Sequence, residues 1–152
     1  MRCINEVETL RQQLEFYRRN YVTGLYGRHD FMNTLKQKYE SHEPFYLAMY
    51  DVNGLHKVNR EQGYSAGDAL LKETANCLVH RDKGGLIFHI GGDEFMGIYN
   101  TVPTALNCQT IIGAYVFSRL YDSYDAMIDA VDLGVIEKKK LLKKRRDGDV
   151  RQ

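Results

Sequence analysis

Gly91-Gly92-Asp93-Glu94-Phe95 stands between two apolar runs, one at residues 86–90 and the other at residues 95–99. Short apolar runs bounded by glycines are typical of buried strands, and a glycine pair between them favours a tight turn. The segment therefore predicts a β-hairpin that carries two adjacent carboxylates at its tip. The glycines also permit a positive φ and let a ligand approach the backbone closely at Gly92.

A second acidic tip lies upstream, where the apolar run at residues 46–50 ends at Asp51. If the two strands are neighbours, Asp51, Asp93 and Glu94 converge at one end of the sheet. Clustered carboxylates bind hard cations such as Mg²⁺ (or Mn²⁺), and such ions handle nucleotide phosphates. An acidic pair in a loop is more often only solvated. A plain hairpin has no need of both glycines and carboxylates, however, which favours the metal site.

The composition of the whole chain limits the class of protein to which it can belong. The chain has 152 residues, of which 43% are apolar and 27% are charged, enough for one domain with a single core. No stretch is long and apolar enough for a membrane span and no secretory signal precedes the first charged residues, so we expect no membrane partner and a cytoplasmic location. Cys3, Cys77 and Cys108 are widely spaced and odd in number, which predicts reduced thiols.

The net charge of +1 hides a basic C-terminal segment. Residues 138–152 contain eight Lys or Arg and two Asp, which gives +6 and leaves −5 for residues 1–137. Basic side chains at the last turns of a helix complement the negative end of its dipole. One or two of these lysines could instead fold back onto a triphosphate. Nonspecific nucleic-acid binding is a third and much weaker interpretation.

Periodicity predicts the order helix, helix, strand, helix, strand, strand, strand, helix. An apolar stripe runs through residues 3–21, and we expect it to pack on the domain rather than to form a short coiled coil. Ser65-Ala66-Gly67-Asp68 has the pattern of a helix start. Short neighbouring strands indicate an α+β domain with a mainly antiparallel sheet flanked by helices.

The segment between Asp51 and Asp68 contains a second group of candidate residues. Gly54-Leu55 places backbone amides just beyond the end of a strand, which is a usual position for phosphates. Asn59 and Asp68 suit guanine, because an Asp accepts from its ring N–H and amino group and an Asn can donate or accept. The competing interpretation makes Asp68 the capping acid of its helix and Asn59 a turn residue. Spacing alone favours that second interpretation.

Taken together, these segments resemble the GGDEF domain of diguanylate cyclases over nearly the whole chain, from Thr23 to Lys143. The resemblance implies a palm-like, ferredoxin-like fold. It divides the chain into an N-terminal helix that leads into the domain or dimerises (1–22), the domain itself (23–146) and a tail (147–152). The motifs that carry it are Asp51–Leu55 with Asn59, Gly63, Gly67-Asp68, Gly91–Phe95, Thr23–Leu25 with Arg28, Ile111–Ala114, and Asp132 with Lys139.

The resemblance also implies a reaction. Two GTP molecules, each held by one subunit of a homodimer, are condensed into cyclic di-GMP with release of pyrophosphate. Asp51, the Val52 carbonyl and Asp93 would hold Mg²⁺, and Glu94 would assist metal binding or proton removal. The residues implied to contact the substrate are Leu55, Asn59, Tyr64, Asp68, Gly92, Lys139 and Lys143.

Several positions depart from the family. His56 stands where the family has a lysine, and Tyr64 where it usually has a histidine. A whole helix is missing, because only Thr101–Asn107 connects the strands on either side. We expect the N-terminal helix, the last helix or a second subunit to cover the sheet face left bare. Two alternatives therefore stay open: a catalytically weak domain that binds GTP or pairs with another GGDEF protein as a regulator, and a cyclase that makes a different cyclic dinucleotide.

Overall fold

The structure, a computed structural model, describes the backbone of residues 2–150 and the side chains of residues 5–148. Short 3₁₀ turns lie at Ala105–Asn107 and Ser118–Leu120. The helices are α1 (Arg2–Arg18), α2 (Arg28–Glu40), α3 (Leu55–Gln62), α4 (Tyr64–Arg81) and α5 (Tyr124–Val150), and the strands are β1 (Tyr46–Val52), β2 (Leu86–His89), β3 (Glu94–Tyr99) and β4 (Ile111–Phe117).

These strands form one antiparallel sheet in the order β2-β3-β1-β4. β2 and β3 are the two arms of the predicted hairpin, and β3 pairs with β1 so that Asp51 lies opposite Glu94. The prediction that the two acidic tips are neighbours is therefore confirmed at the level of the backbone. The predicted α+β fold with an antiparallel sheet flanked by helices is confirmed as well.

Alternation along β1 divides the core into two layers, because successive side chains of a strand point to opposite faces. Leu47 and Met49 pack against α2 and α5, whereas Ala48 and Tyr50 pack against α4. The same alternation places Asp51 on the side of α2 and α5, one step beyond Met49. The acidic end of β1 is thus turned toward α5 by the hydrophobic pattern of the strand itself.

Helix α5 supplies the basic side chain that meets this acid. Its buried residues Met127, Val131 and Val135 recur every four positions and are at most 3% exposed. Residues four apart on a helix lie on one face, so Lys139 is the next position on the same stripe. The residues of the stripe are apolar where α5 packs on the core and basic beyond it. Lys139 therefore lies at the end of β1.

The region after β1 differs from the sequence prediction in two ways. Residues 55–62 form α3, which the pattern did not predict because Leu55 is its one buried residue. Gly54 has φ 76°, a left-handed value that glycine adopts without strain, and this lets the chain turn from β1 directly into α3. α4 begins at Tyr64 with Gly63 as its N-cap, so the predicted start at Ser65 is wrong.

Helix α1 does not pack on the domain, and the expectation that its apolar stripe is buried is wrong. Its side chains at Val7, Leu10, Leu14 and Tyr17 are 47–81% exposed. From residue 5 onward, its contacts with the domain lie at its C-terminal end, where Arg18 binds Asp30 and the following residue, Arg19, contacts the Tyr26 ring and hydroxyl. A periodic stripe therefore correctly predicted the helix, but not what the helix packs against.

The connection between β3 and β4 covers the sheet face that the missing helix would leave bare. Ala105 is fully buried, and Leu106 packs against the same core cluster. Cys108 forms a disulfide with Cys77 of α4, with the two Cα atoms 6.3 Å apart, so the prediction of reduced thiols is wrong for this pair. The side chain of Cys3 lies outside the described residues. Neither α1 nor α5 covers this face, which corrects two of the three expected covers.

The Asp82 carboxylate reinforces this attachment. It accepts hydrogen bonds from the backbone amides of Thr104 and Ala105 at 2.8–2.9 Å and from the Thr104 hydroxyl. The disulfide and Asp82 therefore fix the short connection to the end of α4 from its two sides. We refer to Cys77, Cys108 and Asp82 below as the α4 clasp.

The C-terminal part of α5 is continuous. The helix runs without a break through Asp147, the position at which the sequence predicts a tail, and ends at Val150. Within residues 2–150, no helix combines the length and the hydropathy needed to cross a membrane.

Candidate active site

A cavity of about 530 Å³ opens at the end of β1, between the start of α3 and the basic end of α5. Strand β1 contributes Asp51, the turn after β2 contributes Asp93, and α5 contributes Lys139 and Lys143. Gly54, Leu55 and His56 complete the side formed by α3. The cavity therefore brings together carboxylates, lysines and the first amides of a helix.

Asp51 is the most buried charged group of this cavity, with 6% of its surface exposed. Its Oδ2 atom forms an ion pair with Lys139. Its Oδ1 atom is buried and has no hydrogen-bond partner among the described residues. Leaving a carboxylate oxygen buried and unpaired is costly, so such an atom indicates a position at which a ligand completes the structure.

Asp93 lies beside Asp51 because a backbone hydrogen bond joins the two chain segments. The Val52 amide donates to the Asp93 carbonyl at 2.8 Å. Among the described residues, no group of three or more His, Cys, Asp or Glu side chains converges to hold a metal. Mg²⁺ in nucleotide enzymes is usually held by one or two carboxylates, with water and substrate phosphates as the other ligands. The pair Asp51 and Asp93, with the unpartnered Oδ1 atom, fits that kind of site.

Glu94 faces the same side of the sheet as Asp51, because the two residues are paired directly across β1 and β3, but it lines a different cavity. Its side chain lines a second cavity of about 530 Å³ between α2 and α5. Arg28, Asp129 and Asp132 line the same second cavity. The structure thus brings Asp51 and Asp93 together in one cavity and places the Glu94 carboxylate in the other.

The predicted phosphate-binding residues lie together around the first cavity. α3 begins at Leu55, and the first amides of a helix have no partner within the helix, so they can bind an anion. Lys139 and Lys143 approach the same space from α5, one helical turn apart. The space beside Gly92 is open, as close approach of a ligand requires, and neither glycine of this turn adopts the positive φ that glycine permits.

The predicted base-reading residues lie at the corner between α3 and α4, outside the lining of this cavity. Asn59 packs so closely against Gly67 that a side chain at Gly67 would collide with it. Asp68 lies half-buried in the first turns of α4 and Tyr64 is 79% exposed. Because Gly63 is the N-cap residue of α4, Asp68 is not the acid of a capping box that begins at Ser65.

His89 is a residue of the site that the sequence reasoning missed. It lies behind the glycine turn, 4% exposed and stacked on Phe95 with ring centres 4.3 Å apart. Its Nε2–H donates to the Gly92 carbonyl at 3.1 Å, and its Nδ1 accepts from the Thr23 hydroxyl at 3.0 Å. A histidine two positions before a glycine pair, inside an apolar run, is the signal that could have identified it. His89 joins the opening turn of the domain to the acidic hairpin.

Burial lowers the pKa of His89, because a charged imidazolium is poorly solvated there. The native state therefore favours the neutral ring more than the unfolded state does. The stability that the neutral, buried ring contributes is fully present above the pKa of His89 in the unfolded chain. It is lost as the pH falls from that value toward the lower pKa of His89 in the folded protein.

We expect the free energy of unfolding, measured with urea, to fall more between pH 7.5 and pH 5 in the unsubstituted protein than in His89→Gln. Parallel curves for the two proteins would contradict this role.

Comparison with known proteins identifies the family to which this fold and site belong. The sequence model described as "Diguanylate cyclase, GGDEF domain" matches residues 19–136. The chain belongs to the GGDEF domain family. The match includes both acidic tips, the α3–α4 corner and the part of α5 that packs on the sheet. The predicted family membership is therefore confirmed.

Individual relatives of this GGDEF domain are distant in sequence. The diguanylate cyclase DgcS of Shewanella oneidensis is 28% identical, over 74% of this chain and 44% of that protein. Uncharacterized membrane proteins of Staphylococcus aureus are 32% identical, over 50% of this chain and 23% of their own length. The chain thus spans less than half the length of these curated relatives.

Solved structures support the fold of this GGDEF domain. The coiled coil and GGDEF domain of Caulobacter crescentus DgcB, crystallised with c-di-GMP, gives a TM-score of 0.75 at 17% identity and covers 91% of both chains. The S helix-GGDEF-EAL part of Vibrio cholerae LapD, bound to c-di-GMP, gives a TM-score of 0.75 at 20% identity. It covers 90% of this chain and 37% of that one. At these identities the likeness establishes the fold alone.

Proposed function

We propose that this GGDEF domain condenses two molecules of GTP into cyclic di-GMP with release of pyrophosphate. The observation that carries the proposal is the buried, unpartnered Oδ1 atom of Asp51 in a cavity that also holds Asp93, helix amides and lysines. A buried carboxylate oxygen without a partner suits a cation, and the amides and lysines around it suit phosphates.

In this proposal Asp51, the Val52 carbonyl and Asp93 would hold Mg²⁺ (or Mn²⁺). The ion would neutralise phosphate charge and favour ionisation of the attacking 3′-hydroxyl. Lys139 and the amides from Leu55 onward orient the phosphates, so that the hydroxyl of one GTP attacks the α-phosphate of the other. A new P–O bond forms, the bond from the α-phosphorus to the bridging oxygen breaks and pyrophosphate leaves. The reciprocal attack, by the 3′-hydroxyl of the second nucleotide on the α-phosphate of the first, closes the ring and releases a second pyrophosphate. Glu94 accepts the hydroxyl proton directly or through water, which requires its side chain to turn from its present cavity.

Condensation of two GTP molecules requires two half-sites, and we propose that a second copy of the chain supplies the other. The exposed stripe of α1, which includes Leu10, Leu14 and Tyr17, supports this arrangement. An amphipathic helix without an intramolecular partner can bury its apolar face against an identical helix. Pairing through α1 would hold two domains on one axis, which their active sites need in order to face each other.

The base of the substrate is proposed to lie at the α3–α4 corner, with Asn59 and Asp68 as its partners. We expect Asp68→Ala to weaken GTP binding about 10- to 100-fold, the usual cost of one hydrogen bond to a charged group. ATP binding should be unchanged, because adenine lacks the donors that Asp68 would accept from. Glu73→Ala, which removes an exposed carboxylate from the same helix, is the matched control. Equal losses for GTP and ATP, measured by titration calorimetry, would contradict guanine recognition by Asp68.

A second candidate function is a domain that binds GTP, or pairs with another GGDEF protein, without efficient turnover. Two observations favour it. The Glu94 side chain lies in a different cavity from Asp51 and Asp93, and Lys139 pairs with the carboxylate that would hold the metal. Under this alternative GTP binds and Asp68 still discriminates the base, but no cyclic product accumulates.

A further inference from the structure

We infer that Arg146 is a third phosphate-binding cation of the cavity and that it contacts the terminal phosphate of a nucleoside triphosphate. The inference rests on the proposed function, since it assumes that the cavity binds a nucleotide. The sequence reasoning assigned phosphate contacts to Lys139 and Lys143 and left Arg146 within an undivided basic segment.

Helix geometry separates Arg146 from its basic neighbours. Lys139, Lys143 and Arg146 are spaced by four and three residues, so they share one face of α5, and all three line the cavity that contains Asp51. Lys140 and Lys144 line a shallow groove on another side of the same helix. Arg145, adjacent in sequence, is exposed and does not line the cavity. The basic segment therefore contains a row of three cations directed to the cavity.

The order of these cations along α5 follows the order of groups in a triphosphate. Lys139 pairs with Asp51. In the proposed function the ion held by Asp51 would lie at the phosphates nearest the reacting α-phosphorus. A rise of about 1.5 Å per residue places Arg146 roughly 10 Å farther along the helix axis. This distance exceeds the length of a triphosphate, but side chains on a helix incline toward its N-terminus, so the long Arg146 side chain reaches back past Lys143 toward the last phosphate.

Arg146 is also the best suited of the three for a terminal phosphate. Lys139 already forms an ion pair with Asp51, whereas Arg146 forms no ion pair or hydrogen bond among the described residues. Its guanidinium can donate two parallel hydrogen bonds to phosphate oxygens, which an ammonium group cannot. Asp147 lines the same end of the cavity, so its carboxylate competes with the phosphate and moderates the effect.

The test compares Arg146→Ala with Arg145→Ala, two variants that remove the same group from neighbouring positions. Titration calorimetry would measure the affinities for GTP and GDP, with Ca²⁺ in place of Mg²⁺ to prevent turnover. We expect Arg146→Ala to weaken GTP binding about 10-fold, as loss of a charge-assisted hydrogen bond does, and to leave GDP binding nearly unchanged. Arg145→Ala should change neither affinity, and Arg146→Lys should restore part of the loss.

Other outcomes would overturn the inference. Equal losses for GTP and GDP, or the same loss in Arg145→Ala, would mean that the segment acts only through its overall charge. Inorganic tripolyphosphate separates this inference from the proposed function. A protein that binds tripolyphosphate through Arg146 but does not prefer GTP would retain the phosphate contact and lose the guanine assignment. Tripolyphosphate and GTP binding that are both indifferent to Arg146 would overturn the inference whatever the base.

Discussion

Asp51→Asn should lower the rate of cyclic di-GMP formation by about 10³-fold or more, since metal stabilisation of phosphate charge contributes several kcal/mol and each 1.4 kcal/mol is tenfold. The substitution keeps the shape of the side chain and removes the charge of the one buried carboxylate in the cavity. It also removes the partner of Lys139. The rate is measured by chromatography of the nucleotides after incubation with GTP and Mg²⁺.

A metal titration tests the role of Asp51 as a metal ligand without measuring turnover. Mn²⁺ affinity, followed by electron paramagnetic resonance, should fall in Asp51→Asn in parallel with the rate. Asp122→Asn, which removes an exposed carboxylate from the turn before α5, is the matched control and should change neither quantity. An Asp51→Asn protein that stays folded and keeps both its rate and its Mn²⁺ affinity would contradict the role of Asp51 as a metal ligand.

Cys108→Ser should lower the free energy of unfolding by about 3–4 kcal/mol, because the disulfide closes a long loop in the unfolded chain. Its two cysteines are 31 residues apart in sequence. The loss should also loosen the connection that buries Ala105 over the sheet. The measurement is urea unfolding at equilibrium, without a reducing agent.

The second cysteine supplies the control for this prediction. Cys77→Ser should cost the same as Cys108→Ser, and the double variant should cost no more than either, because one bond is lost in every case. Treatment with a reducing agent should bring the unsubstituted protein to the level of the variants and leave the variants unchanged. If the unsubstituted protein were no more stable than its Cys108→Ser variant under oxidising conditions, the disulfide would not contribute to stability and the prediction would be wrong.

Local pattern was sufficient to predict the parts of the structure that depend on neighbouring residues in sequence. The hairpin around Asp93, the strand that ends at Asp51 and the helices before and after the sheet follow from apolar periodicity and glycine positions. An antiparallel sheet was expected from the short strands, but only the β2–β3 pair follows from a tight connection. β4 and β3 each pair with β1 across a long stretch of sequence, and the sequence analysis treated the neighbouring of β1 and β3 as a condition. The convergence of Asp51 with the acidic turn is a consequence of that pairing.

The sequence pattern could not predict features that depend on the direction of a side chain or on contacts between residues distant in sequence. Asp93 and Glu94 are adjacent in sequence, but the turn ends between them, so their side chains line different cavities. Helix α3 was missed because a short helix with one buried residue has no stripe. The partners of α1 and of Cys108 could not be derived, since periodicity reveals a face but not what covers it, and cysteine spacing does not fix pairing.

Arg146 illustrates the same limit at the functional site. A run of consecutive basic residues has no periodicity of its own, so the sequence cannot indicate which members face a ligand. The direction is fixed by the buried stripe of Met127, Val131 and Val135, which sets the rotation of α5 about its axis. The family resemblance had already indicated Lys139 and Lys143, and with that rotation known Arg146 joins them and separates from the rest of the segment.

The most direct test of the central claim is mass spectrometry of the products formed from GTP and Mg²⁺ by the purified protein, with ATP in a parallel reaction. We expect cyclic di-GMP and pyrophosphate from GTP, no product from ATP, and loss of the GTP product in Asp51→Asn. A folded, concentrated protein that binds GTP but yields no cyclic dinucleotide would contradict the enzymatic account. That result would instead support the domain that binds GTP as a regulator.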